Sequence, residues 1–146
     1  MRIRTIVILT AICSFLLVLA ACGRSGDPSN NPSSNEKFIK STKSGDITIS
    51  LSNSSGEMRS GENDVMLSFT NASGKPIDMP AASLKFHMPA MGSMAEMNDV
   101  ATLTTTGTPG KFRAVVNPEV PGTWEAMISF QGPRGTEQAT MSVTAK

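Results

Sequence analysis

The chain has 146 residues, with 13 basic and 12 acidic side chains, one histidine, two cysteines and ten methionines. With charge this even and no arginine or lysine stripe to neutralise phosphates, a nucleic-acid partner is excluded. One histidine and no glycine-rich phosphate loop leave little for acid–base, nucleophilic or phosphoryl chemistry, so no enzyme is expected.

Arg2 and Arg4 precede an apolar run from Ile6 to Ala21 that is interrupted by Thr10 and Ser14. The run is short for a permanent membrane span and has the layout of a signal peptide, assigned to residues 1–21. It ends in Leu19-Ala20-Ala21-Cys22-Gly23, which resembles a lipoprotein signal with Cys22 as the lipidated new N-terminus. An ordinary secretory signal that happens to end in cysteine is the competing reading. The resemblance implies a bacterial envelope protein held on the membrane by lipid on Cys22 and facing the periplasm. Gly23 stands where inner-membrane lipoproteins carry Asp, which favours the outer membrane (the outer face, in a cell with a single membrane). Cys13 leaves with the signal and Cys22 takes lipid, so the domain has no disulfide although its compartment would permit one.

Residues 22–43 open with Gly, Ser, Asn and Pro and read as a flexible tether, able to hold a domain tens of ångströms off the bilayer. Residues 44–146 read as one domain. Asp46 to Leu51 alternates, with Ile47, Ile49 and Leu51 on one face. Asn63 to Asn71 does the same with Val65, Leu67 and Phe69, and turn clusters follow both runs. Leu84 to Met88 puts Leu84, Phe86 and Met88 on one face and Lys85 and His87 on the other, and Pro89 ends it. Asn98 to Thr106 has no clear facing. Phe112, Ala114 and Val116 form the next face, then Trp124, Ala126, Ile128 and Phe130, then Ala139, Met141 and Val143. About seven antiparallel strands with short turns predict an all-β, immunoglobulin-like sandwich, with a small β-barrel as the competing architecture.

The chemistry gathers in residues 84–97. This stretch holds the single histidine, His87, and four methionines at every third position, Met88, Met91, Met94 and Met97. Thioether sulfur suits Cu(I) better than zinc, calcium or magnesium, and imidazole also binds copper. Met79 lies in the irregular stretch before this segment and is a further candidate ligand. Pro89 and Gly92 count against a helix, and the three-residue period fits a polyproline-like edge, with Gly92 letting the chain fold back. Fully extended, Met88 and Met97 would stand about 30 Å apart, so a shared ion needs a curled loop. The plainer reading gives these methionines to packing, because Met fills irregular gaps. Trp124 reads as core, or as a ring shielding a bound cation. Glu96 and Asp99 are candidates to steady His87 or add an oxygen ligand. Met58 and Met127 read as exposed.

Gly74-Lys75-Pro76-Ile77, His87-Met88-Pro89-Ala90-Met91-Gly92, Pro109-Gly110-Lys111-Phe112 and Pro121-Gly122-Thr123-Trp124 together resemble the YtkA-like domain family. The resemblance implies an immunoglobulin-like sandwich in an exported protein, with several relatives tied to copper handling, efflux or oxidase assembly. Relatives often carry histidine after the Met-Pro-x-Met-Gly centre. Ser93-Met94 stands there instead, which leans toward Cu(I) over Cu(II). The expected function is Cu(I) sequestration or delivery, with a copper efflux, chaperone or oxidase-assembly partner. Its alternative is a non-metal structural or protein-interaction module of an envelope complex.

Overall fold

Alternating apolar residues build two sheets whose inner faces close on each other. The structure, a computed structural model, describes residues 35–146. The signal peptide, Cys22 and most of the tether assigned from sequence lie outside the described residues. Among the described residues nine strands follow in order: β1 (Lys37–Ser44), β2 (Ile47–Asn53), β3 (Asn63–Thr70), β4 (Ala82–Met88), β5 (Met97–Val100), β6 (Thr102–Thr105), β7 (Lys111–Val116), β8 (Gly122–Gly132) and β9 (Gly135–Ala145). One sheet has the order β1-β2-β3-β7-β6 and the other β5-β4-β8-β9, with every neighbouring pair antiparallel. The result is an all-β, two-sheet sandwich, not a closed barrel.

Two strands exceed the expected seven. β1 occupies residues assigned to the tether, pairing Lys37 with Asn53 and Ser44 with Ile47 along the edge of its sheet. The expected strand 98–106 is two strands in different sheets. β5 pairs with β4 and β6 pairs with β7, and the chain crosses between them at Ala101, whose N–H donates to the Leu84 carbonyl at 2.9 Å.

The faces read from sequence are the ones buried. Ile49, Leu51, Val65, Leu67 and Phe69 of the first sheet meet Leu84, Phe86, Trp124, Ala126, Ile128 and Phe130 of the second, all at most 2% exposed. Phe69 sits at the centre, edge-on to Phe112 at 6.0 Å and tilted against Phe130 at 5.2 Å. Such aromatic contacts add about 1 kcal/mol each beyond the area they bury. Trp124 is a core residue whose Nε1–H donates to the Val120 carbonyl at 3.0 Å. Met58, expected to be exposed, is 1% exposed and bridges to Ala145.

Two buried amides hold the loop between β2 and β3. Asn53 donates to the Glu57 carbonyl and accepts from Gly56 N–H, while Asn63 donates to the carbonyls of Arg59 and Gly61. One ion pair, Glu57 to Lys146, ties distant segments together, and another, Glu137 to Arg134, is local to the β8–β9 turn. Lys146, by hydrogen bond and then by charge, holds the Glu57 carboxyl below its usual pKa, and Arg134 with Ser44 does the same to Glu137. A folded pKa below the unfolded one stabilises above about pH 4.3, and that contribution is lost as pH falls through the folded value. The melting temperature is therefore expected to stay flat from pH 7 to about 5 and to fall below that. A Glu57→Gln/Glu137→Gln variant should show a shallower acid decline.

Candidate functional site

The β4–β5 hairpin explains the spacing of the methionines. Its register pairs Lys85 with Val100, Phe86 with Asp99, His87 with Asn98 and Met88 with Met97. Beyond Pro89, which has no N–H to give the ladder, the same register resumes as a bridge between Met91 and Met94. Met91 N–H donates to the Met94 carbonyl at 3.1 Å, and Met94 N–H to the Met91 carbonyl at 2.9 Å. Gly92 and Ser93 form the turn between them, and Gly92 takes φ +59°, the left-handed conformation that tight hairpin turns use. The three-residue period is thus a pairing across a hairpin, mirrored about Gly92-Ser93. The polyproline-like edge expected for this segment is replaced by that hairpin.

The pairing sorts the sulfurs by depth. Met88 is 2% exposed and belongs to the core, with its Cε where a Cβ on Gly122 would come within 2.9 Å. Met79 is a core side chain too, 4% exposed. Met97, opposite Met88, is half-buried and packs on the same core. Met91 and Met94 are 54% and 42% exposed. Directly opposed residues hold their Cβ atoms about 5 Å apart on one face, so the two thioethers stand together at the tip. Of the six residues singled out as metal ligands, the fold presents Met91 and Met94 as an accessible pair and commits Met79 and Met88 to the interior.

His87 stands on the outer face of its sheet, between Asn98 of β5 and Glu125 of β8. Its Nδ1 lies 3.0 Å from Asn98 Oδ1. With that oxygen accepting, Nδ1 is the donor, and in the neutral ring this leaves the lone pair on Nε2. Of the expected acidic partners, Asp99 instead accepts from Asn117 N–H at 2.7 Å. Four residues of extended chain put the His87 and Met91 backbones about 13 Å apart, so an ion common to both needs side chains reaching toward each other. Asn98 is the residue sequence reasoning missed. Its role depends on cross-strand register, which no linear spacing reveals.

The outer face of this sheet also exposes Val100 and Met127, at 72% and 41%, on either side of Lys85. Among the described residues, no group of three or more His, Cys, Asp or Glu side chains is arranged to hold a metal ion. No helix among the described residues is long and apolar enough to cross a membrane.

The YtkA-like family model matches residues 41–129, and the chain belongs to that family. No curated protein matches the chain. Among solved structures, the selenomethionine form of PcoC, a copper resistance protein from Escherichia coli, is 15% identical, covers 62% of this chain and 89% of its own, and gives a TM-score of 0.43.

Proposed function

We propose that this domain is a non-catalytic interaction module of the bacterial cell envelope that works by presenting the tip of its β4–β5 hairpin to another protein. One observation carries this reading: two large apolar side chains, Met91 and Met94, are exposed and paired on a turn, while Met58, Met79, Met88 and Met141 are buried in the core. Two flexible thioethers held side by side make an adaptable apolar contact that can mould to a partner's pocket. The test is co-purification of the tagged full chain from detergent-solubilised envelopes. A partner retained by the native protein and lost from Met91→Ser/Met94→Ser, with melting temperatures unchanged, is expected. Retention by both would sink the reading.

A second reading takes Cu(I) onto the same pair. What favours it is the Nε2 lone pair of His87, left available by the Asn98 contact, on the hairpin that also carries two accessible soft donors. An anaerobic Cu(I) titration against a competing chelator, on residues 35–146 so that β1 is retained, tests it. One ion per chain, weakened at least about tenfold by Met91→Ser and again by His87→Ala, is expected. Equal binding by the native domain and the Met91→Ser/Met94→Ser variant would remove copper from the hairpin.

A further inference from the structure

Residues 35–146 contain no cysteine and no tyrosine, and Trp124, the one tryptophan, is 1% exposed. Thioethers are therefore the readily oxidised side chains that solvent reaches in this domain. The fold divides them sharply. Met58, Met79, Met88 and Met141 are between 1% and 4% exposed, whereas Met91, Met94 and Met127 are 54%, 42% and 41% exposed. Met127 stands on the outer face of β8, opposite Lys85 of β4 and Thr140 of β9. Met91 and Met94 face each other across the hairpin turn, and backbone joins them. Each N–H donates to the other's carbonyl, at 3.1 and 2.9 Å, so the turn does not depend on the chemistry of its sulfurs.

We infer that Met91 and Met94 are a reversible oxidation site, at which hydrogen peroxide switches off the contact made by the hairpin tip; this rests on reading that tip as the docking surface. In the step, a sulfur lone pair attacks one peroxide oxygen and the O–O bond breaks. The departing hydroxide takes the proton of the transferred oxygen and leaves as water. The sulfur loses two electrons and the peroxide gains them. Each event turns a flexible apolar side chain into a polar, chiral sulfoxide. At the solvated tip the new oxygen keeps its water, and neither the turn nor the core is disturbed. Inside a partner's apolar pocket it loses that water, and one uncompensated polar group weakens binding roughly 5- to 150-fold. A sulfoxide is also a harder donor than the thioether that suits Cu(I). The same event at Met88 would put oxygen into the core beside Gly122, and burial protects that sulfur. The hairpin thus holds its reactive sulfurs where modification alters the surface and not the fold. A thiol-dependent methionine sulfoxide reductase reverses the change, its two thiols becoming a disulfide while the oxygen leaves as water.

The experiment oxidises the purified full chain, carrying Met127→Leu, with hydrogen peroxide, quenches it, and follows each methionine by peptide mass. Melting temperature and retention of the co-purifying envelope protein are measured before and after. Sulfoxide should form at Met91 and Met94 at least about tenfold faster than at Met58, Met79, Met88 and Met141, which react only through local opening. The melting temperature should move by less than about 3 °C. Retention should fall at least about 30-fold and return after treatment with sulfoxide reductases for both epimers and a thiol. A Met91→Leu/Met94→Leu variant keeps an apolar tip without sulfur, and its retention should resist peroxide. Equal rates at exposed and buried methionines overturn the site. Loss of retention in the leucine variant, or together with a fall in melting temperature, overturns the switch. Full retention by the doubly oxidised tip also overturns the switch but leaves the docking reading standing. No retention even before oxidation removes the docking reading and the switch with it.

Discussion

Gly110→Ala is expected to destabilise the domain by at least about 3 kcal/mol and to lower its melting temperature by more than about 10 °C. Gly110 is buried with φ +68°, and a Cβ built on it would lie 2.1 Å from the Ile77 carbonyl oxygen and 2.9 Å from that of Phe69. Its carbonyl accepts from Phe69 N–H at 2.8 Å, and the Phe69 carbonyl accepts from Ile77 N–H at 3.0 Å. Three backbones meet at this point, and none is a flexible side-chain end that could swing aside. The left-handed conformation alone costs a non-glycine residue about 1–2 kcal/mol. The rest comes from separating segments that are hydrogen-bonded beside the central Phe69. Gly107→Ala, in the same β6–β7 connection, is the control. Its φ is +77° with nothing within 4 Å of the added Cβ, so about 1–2 kcal/mol is expected. Equal losses in thermal melts of the two variants would mean that the crossing at Gly110 relaxes freely.

What could be read from the chain follows from where the buried faces lie. Ile47, Ile49 and Leu51, or Trp124, Ala126, Ile128 and Phe130, alternate because one side of each strand meets the other sheet. β1 has little of that signal. Its Lys37, Lys40 and Lys43 are exposed, Phe38 is 63% exposed, and β2 holds the strand by backbone pairing. Lysines along an edge also discourage further strands from adding, so the composition that resembled a tether is an edge-strand composition. The stretch 97–105 misled for a different reason. Alternation says which residues face inward but not which sheet they belong to, and the crossover at Ala101 leaves two four-residue strands with weak facing. Methionines in irregular segments carry no period at all. Met58 is locked by a bridge to Ala145 and Met79 by packing into the core, both long-range facts. The hairpin motif was recognisable, and the family match over 41–129 agrees with the residues that suggested it. Its division into an inner and an outer methionine pair was not recognisable, because partners across a turn are defined by register.

That division yields the second large effect. Met88→Ala is expected to cost about 2–5 kcal/mol of stability, the usual range for truncating a buried methionine, because its methyl fills the space beside Gly122. Partner affinity measured on the folded fraction should stay unchanged. Met91→Ser/Met94→Ser should do the reverse. Both side chains are largely in solvent, so stability should move by less than about 0.5 kcal/mol. The affinity lost reflects the apolar surface two methionines bury in a partner, about 2–4 kcal/mol together, or roughly 30- to 1000-fold in Kd. The single variants separate the two uses of the pair. Apolar contact is roughly additive, so Met91→Ser and Met94→Ser should each forfeit about half of that free energy. A shared Cu(I) ion needs both sulfurs at once, so either single change should remove most of the binding. If Met88→Ala instead weakens partner or copper binding while the melting temperature holds, the buried sulfur is part of the working site, and the hairpin must open to use it.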